Sequence, residues 1–153
     1  MKDNNYDPKA VYREIKLKYY AILAAPLVLL LLAFYITDAT TSEKLDFADP
    51  LNMALVIFTL ATVYTGAFIS RNIYKKITPE SDIRMRLSKF QAGLLIRLAT
   101  YESAEIFAIV VFIINGNLLV LLFALVGLFG IITNYPSPAR IRQSVGINEI
   151  DLL

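Results

Sequence analysis

The stretch from Lys89 to Asn115 limits the possible folds of this chain more than any other part of the sequence. It is apolar enough to cross a membrane, yet it contains Arg97, Glu102 and Glu105. A charged side chain inside a bilayer costs about 2.5–3.5 kcal/mol on insertion scales, so such a residue usually has a partner or a function. We therefore expect this stretch to form the helix around which the rest of the chain is arranged.

The composition favours an integral membrane protein and argues against several kinds of active site. Hydrophobic residues make up 57% of the 153 residues, whereas apolar residues, glycine included, make up about 45–50% of a typical soluble protein. The sequence contains no cysteine and no histidine, which removes thiolate nucleophiles, imidazole metal ligands and the commonest general base. It also lacks a Gly-rich phosphate-binding loop. We predict no enzymatic activity, no metal site and no cofactor.

Four apolar stretches predict an all-α integral membrane protein with four transmembrane helices arranged as two hairpins. Asp7 and Pro8 form a helix start, with a capping side chain followed by proline, and Asp49 and Pro50 repeat it. An 18-residue first span would be roughly 27 Å long, which is enough to cross the hydrocarbon core. The predicted segments are a cytoplasmic helix start over 1–18, spans over 19–36, 51–73, 93–114 and 118–135, and a cytoplasmic tail over 136–153.

The third helix is predicted to be longer than the membrane is thick. Thr78, Pro79 and Glu80 show the order of cap, proline and first-turn acid that starts a helix, and no strong break follows before Ile114. A helix of that length would extend roughly 54 Å, against about 30 Å for the hydrocarbon core. We therefore expect a cytoplasmic extension on this helix, with a bend at Gly93.

The lysines and arginines near the span ends predict one orientation for all four spans. The N-terminal segment, the loop between spans two and three and the segment after span four are basic, whereas the loop over 37–49 has one lysine and the turn over 115–117 has none. Cytoplasmic loops carry an excess of Lys and Arg. We therefore predict a multi-pass protein of the bacterial inner membrane with both termini in the cytoplasm, and no nucleic acid partner.

A weak internal repeat relates the first span to the third. Residues 19–34 align without a gap with residues 97–112, and a polar turn and another span follow each segment. Duplication of a hairpin would explain this pattern. In the alignment, the three charged residues of the third span have uncharged counterparts in the first span, which are Tyr19, Ala24 and Leu27.

The charged residues of the third span lie on one face of the predicted helix. Arg97, Tyr101 and Glu105 follow a ridge with a spacing of four residues, and Glu102 lies to one side of it. Glu105 is roughly 13 Å from the outer end of the span at Ile114, close to the middle of the membrane. We expect this face to turn inward or toward another subunit, and the lipid-facing side to hold Ile106, Val110 and Ile113.

Three interpretations of these charges remain open. In the first they are structural: Arg97 pairs with a neighbouring acid or with Glu102, the carboxyl groups bond to Thr62 or Tyr64, and burial keeps at least one Glu neutral. In the second, a buried Glu carries a proton or binds a cation. In the third, Arg97 or Glu105 contacts a partner protein inside the membrane.

Small residues predict where helices pack closely. Thr62, Gly66 and Ser70 form a stripe with a spacing of four residues in the second span, and Gly127 and Gly130 lie in the fourth. Such stripes allow another helix to approach closely. We interpret the stripe of the second span as packing within the chain in preference to a dimer interface.

Four spans with a mid-membrane glutamate superficially resemble the duplicated proteolipid subunits of rotary ATPases. That family has Gly-rich hairpins with cytoplasmic loops and an acid in the second helix of a hairpin, whereas here the turns are external and the acids lie in the first. We therefore reject this likeness. The pattern Phe90-Gln91, Ile96-Arg97 and Glu102, ending in Asn115-Gly116-Asn117, is similar to a family of bacterial four-span inner-membrane proteins without an assigned activity, and this resemblance implies only a topology.

Two functional hypotheses follow from the sequence. In the first, the protein is a small non-catalytic accessory or assembly subunit of a larger bacterial inner-membrane complex. It would contact a membrane-protein partner through the face of Arg97, Tyr101, Glu102 and Glu105, whereas a homo-oligomer would favour the alternative. The alternative is an oligomeric protein of the lipid bilayer that handles protons or cations with Glu105 and Glu102.

Overall fold

The computed structural model describes residues 7–37, 45–78 and 81–147, and its regular elements over these ranges are all helical. In chain order the helices are α1 (Pro8–Ile36), α2 (Pro50–Tyr74), α3 (Ile83–Asn115), α4 (Leu121–Thr133) and α5 (Pro138–Val145), and a 3-10 turn over Leu118–Val120 leads into α4. The predicted all-α class is therefore confirmed.

Three of these helices, α1, α2 and α3, are long and apolar enough to cross a membrane. The pair formed by α4 and α5 would count as a fourth candidate span, with a bend of 71° between its two parts. The chain thus has three to four candidate spans, which is compatible with a multi-pass membrane protein.

The predicted starts of α1 and α2 are reproduced by the capping contacts. The side chains of Asp7 and Asp49 each accept a hydrogen bond from the backbone N–H two residues later, at 2.9 and 3.0 Å. A proline occupies the first position of both helices, where a missing N–H costs nothing. Local chemistry therefore determines where these two helices begin.

The start of α3 differs from the prediction, since this helix begins at Ile83. The Thr78 hydroxyl lies 2.8 Å from the Ser81 hydroxyl, and the Ser81 N–H donates to the Thr78 carbonyl at 3.1 Å. These bonds close a turn, so Thr78 does not act as the helix cap. Residues 79 and 80 of the predicted start lie outside the described residues.

The centre of the bundle is α3, which contacts α1, α2, α4 and α5. In its most apolar window 44% of the residues are buried, compared with 17% in α1 and 22% in α2. The helix runs without a break through Gly93, where the ring of Tyr74 packs against it. The sequence was therefore right about the central element, but the expected bend at Gly93 does not interrupt the helix.

One end of the bundle, called here the basic end, holds the start of α1, the end of α2, the start of α3 and α5. Gln91 donates to Glu14 at 3.4 Å, the rings of Tyr74 and Phe90 stack at 5.8 Å, and Arg86 contacts α5. A hydrophobic cluster fills this end, and its fully buried members include Ile15, Leu87, Phe90, Leu98 and Ile141.

The opposite end, called here the turn end, holds the connection between α3 and α4. Gly116 ends α3 with a φ of 69°, a left-handed conformation that glycine adopts without strain. The Asn115 side chain donates to that of Asn52 at 3.2 Å, which ties the start of α2 to the same end. A second hydrophobic cluster includes Leu55, Phe112 and Val120.

Helix α5 was not foreseen, because the sequence analysis treated everything after 135 as a tail. Ser137 caps this helix and Gly146 follows it with a φ of 73°. Ile141 and Val145 are buried against the rest of the chain, and Arg86 donates to the Val145 carbonyl at 2.6 Å. Contacts with α3 therefore hold this short helix in place.

The weak repeat corresponds to a spatial relation between α1 and α3. These helices run in the same direction, because Glu14 contacts Gln91 and Phe34 contacts Phe112, at sequence separations of 77 and 78. The sequence alignment pairs residues with the same separation of 78. Aligned positions thus lie side by side at about the same depth.

Candidate functional site

The charged face of α3 turns into the bundle at its centre. Tyr101 is 8% exposed and Glu105 is 1% exposed, whereas Arg97 and Glu102 at the edges are half-buried. Ala104 and Ala108, on the same face, are fully buried. The opposite side includes the exposed Val110, with Ile106 and Ile113 half-buried.

Helix α4 covers the middle of this face through its two glycines. A Cβ atom at Gly127 would lie 2.7 Å from the Tyr101 carbonyl oxygen and 2.9 Å from the Glu105 Cβ atom. A Cβ atom at Gly130 would lie 2.5 Å from the Tyr101 ring. The absence of side chains at these two positions lets the α4 backbone rest directly on α3.

Glu105 is left with an unsatisfied carboxyl oxygen. Its Oε2 atom is buried and has no hydrogen-bond partner among the described residues. Glu102 lies one turn earlier on the same helix, close enough for the two carboxyl groups to interact electrostatically. Burying an unpaired ionised carboxylate is very costly. This environment therefore suits a neutral carboxyl group or one that binds a cation.

The hydrogen-bond partners predicted for the carboxyl groups are wrong. The Thr62 hydroxyl donates instead to carbonyl groups of its own helix, at 2.8 Å to Phe58 and 3.1 Å to Thr59. Tyr64 is 73% exposed and stacks on Phe68. Neither side chain therefore bonds to a carboxyl group of α3.

The ion pair predicted for Arg97 does not form within the part of the chain that the structure describes. No carboxylate there lies within 4.0 Å of its guanidinium group, and its buried Nε atom has no hydrogen-bond partner. Arg97 and Glu102 are five residues apart, which separates them by about 140° around a helix. They consequently lie at opposite edges of the charged face.

Arg97 lies near Tyr74 at the basic end. The Tyr74 ring packs on Gly93, one turn before Arg97, where a Cβ atom would come within 2.6 Å of the ring. The guanidinium groups of Arg97 and Arg140 both interact electrostatically with Tyr74. Tyr74 therefore lies within electrostatic range of both cations, and neither of them forms an ion pair with a described carboxylate.

The small-residue stripe of α2 faces α3. A Cβ atom at Gly66 would overlap the Thr100 side chain, and Ser70 and Thr59 are fully or nearly fully buried. Thr62 is half-buried on the same side. The stripe is thus used for packing within the chain, which is the interpretation that the sequence favoured.

Among the described residues, no group of three or more Asp and Glu side chains is arranged to hold a metal ion. Comparisons of the chain with protein-family models, with curated proteins and with solved structures give no match.

Proposed function

We propose that this protein is a small non-catalytic accessory or assembly subunit of a larger complex in the bacterial inner membrane. The observation that carries the proposal is the environment of the Glu102 carboxyl group. This group is half-buried in the apolar part of α3 and has no partner among the described residues. A polar group in this position is poorly matched to lipid and well suited to a neighbouring protein helix.

The surroundings of Glu102 support a contact with another helix. Ala99 and Ser103 are exposed beside it, and the Ser103 hydroxyl donates to the Ala99 carbonyl at 2.7 Å. Small side chains allow the backbones of two membrane helices to approach closely. The proposed interface is therefore the Glu102 edge of the charged face, because α4 covers Tyr101 and Glu105.

Four spans and cytoplasmic termini form part of the same proposal. With its preceding 3-10 turn, α4 extends about 25 Å, which approaches the thickness of the hydrocarbon core. The basic end holds most of the described lysines and arginines, and the positive-inside rule puts such an end in the cytoplasm. The two hairpins would then have their turns outside.

Photocrosslinking in the native membrane tests the interface. A photoreactive side chain at Ser103 is expected to capture one discrete membrane protein, and Glu102→Gln should weaken that capture. The same probe at Leu31, which is 72% exposed on α1, is the matched control and should capture no defined protein. Equal capture at both positions, or capture unaffected by Glu102→Gln, would contradict the proposed interface.

A second candidate function is proton or cation handling by Glu105 with Glu102. The buried, unpartnered Oε2 atom of Glu105 favours it, since ionisable groups at such depth are often functional. In liposomes the wild-type protein would then support an ion flux that Glu105→Gln abolishes. Glu14→Gln, an exposed change at the basic end, is the control. The absence of flux with the wild-type protein would exclude this function.

A further inference from the structure

The Arg97 guanidinium group needs a counter-charge that the described part of the chain does not supply. Its Nε atom is buried without a hydrogen-bond partner, and no described carboxylate lies within 4.0 Å. Arginine stays protonated in proteins, so it cannot adapt by losing its charge. An anion from outside the chain would satisfy it.

A second guanidinium group, that of Arg140, lies within electrostatic range of the same tyrosine, Tyr74. Arg140 lies in the first turn of α5 and donates through Nη1 to the Thr133 carbonyl at 3.1 Å. Its charge, like that of Arg97, acts on Tyr74. Like charges repel when they converge, and an anion between them turns this repulsion into attraction. Arginine also forms two parallel hydrogen bonds with a phosphate group, which makes phosphate a well-matched anion.

An apolar groove runs along α2 toward the basic end, where Tyr74 lies. It has a volume of about 420 Å³ and is lined by Leu60, Val63, Tyr64, Ala67, Phe68 and Arg71. Arg71 is exposed at the end nearest the basic end, one turn before Tyr74. The groove thus offers an apolar surface with a cationic end, which matches a molecule that has an anionic head and an apolar tail.

We propose that this site binds one anionic phospholipid, with its phosphate group between Arg97 and Arg140 and an acyl chain along the α2 groove. Basic pockets at the cytoplasmic side of membrane helices commonly bind lipid headgroups. A free phosphate ion would satisfy the arginines but leave the apolar groove unused. The Glu102 interface lies at the opposite edge of the charged face, so this inference does not depend on the proposed function.

The test is lipid retention by the purified full-length protein, measured by intact mass in detergent. Phosphatidylglycerol and phosphatidylcholine with identical acyl chains are the two probes. We expect one phosphatidylglycerol per chain to be retained about tenfold more strongly than phosphatidylcholine. Arg97→Gln and Arg140→Gln should each lower that preference about tenfold. Arg13 is an exposed arginine on α1, and Arg13→Gln should leave the preference unchanged.

Two further measurements keep the result decisive. Circular dichroism and gel filtration identify any variant that fails to fold, and the near-surface Arg140→Gln then carries the test alone. An excess of inorganic phosphate should not displace the lipid. Equal retention of the two lipids, an equal loss in Arg13→Gln, or displacement by inorganic phosphate would each overturn the proposal.

Discussion

Helices α1 and α3 run side by side in the same direction, yet only α3 has charged residues within its apolar segment. At aligned positions, Leu27 of α1 is 37% exposed and Glu105 of α3 is 1% exposed. Helix α1 packs mainly against α3, whereas α3 is covered by four other helices. In this fold the carboxyl group occupies the position that neighbouring helices cover, and its exposed counterpart is an apolar leucine.

The largest expected effect comes from moving the carboxyl group to the less buried helix. Leu27→Glu would place it at a lipid-facing position, where an ionised side chain costs about 2.5–3.5 kcal/mol. In a denaturing-detergent titration we expect the free energy of unfolding to fall by about that amount. Leu27→Gln, which is polar but uncharged, should cost less. An unchanged titration for Leu27→Glu would show that burial does not explain the difference between the two helices.

The second prediction concerns the shielding of Glu105 by α4. In Gly127→Ala the new Cβ atom would meet the Tyr101 carbonyl oxygen at 2.7 Å, and a backbone atom cannot rotate away. We expect destabilisation of about 1–3 kcal/mol, as for other overpacked sites. Leu125→Ala, on the exposed side of the same helix, is the control for thermal unfolding in detergent. Equal melting temperatures for the two variants would contradict the close contact.

A smaller effect is expected where α2 meets α3. In Gly66→Ala the new Cβ atom would meet the Thr100 Oγ1 atom, which can rotate away, and the Thr100 Cβ atom at 2.8 Å, which moves only with the backbone, so we expect a cost of about 1 kcal/mol. Adding Thr100→Ala removes the Oγ1 and Cγ2 atoms but keeps the Cβ atom, so it should restore part of the stability, which a double-mutant cycle would measure. If the effects of the two substitutions on stability were purely additive, the contact between these residues would be contradicted.

The smallest effect is expected for Glu14→Gln, at the basic end before the predicted first span. A hydrogen bond from Lys18, with a weaker one from Gln91, holds the pKa of the Glu14 carboxyl below its usual value. Any stability from this pair is present above the unfolded-state pKa and is lost as the pH falls through the folded-state pKa. Because the pair is exposed, we expect no measurable change in unfolding at neutral pH.

Much of the fold could be predicted from the sequence, because the signals were local. The capping aspartates mark the starts of α1 and α2, and the apolar stretches mark the helices that are long enough to span a membrane. The predicted start of α3 was wrong because the Thr78 hydroxyl bonds to Ser81 and does not cap the helix. Helix α5 was missed because its stability depends on burial of Ile141 and Val145 against distant residues.

The candidate site was predicted only in part, for a different reason. Helical periodicity correctly grouped Tyr101 and Glu105 on an inward face. The partners of the charged groups depend on how neighbouring helices are rotated about their axes, which one sequence does not contain. This is why Thr62 and Tyr64 were wrongly chosen, and why the position of Tyr74 within electrostatic range of both Arg97 and Arg140 was not foreseen.

The most direct test of the proposed function is the intact mass of the assembly after gentle extraction from its native membrane. The proposal predicts a complex that contains this 17.2 kDa chain together with a different membrane protein, and loss of that protein in Glu102→Gln. Glu14→Gln should leave the complex intact. A lone chain, or an assembly of identical chains, would contradict the proposal and make ion handling by Glu105 the leading function.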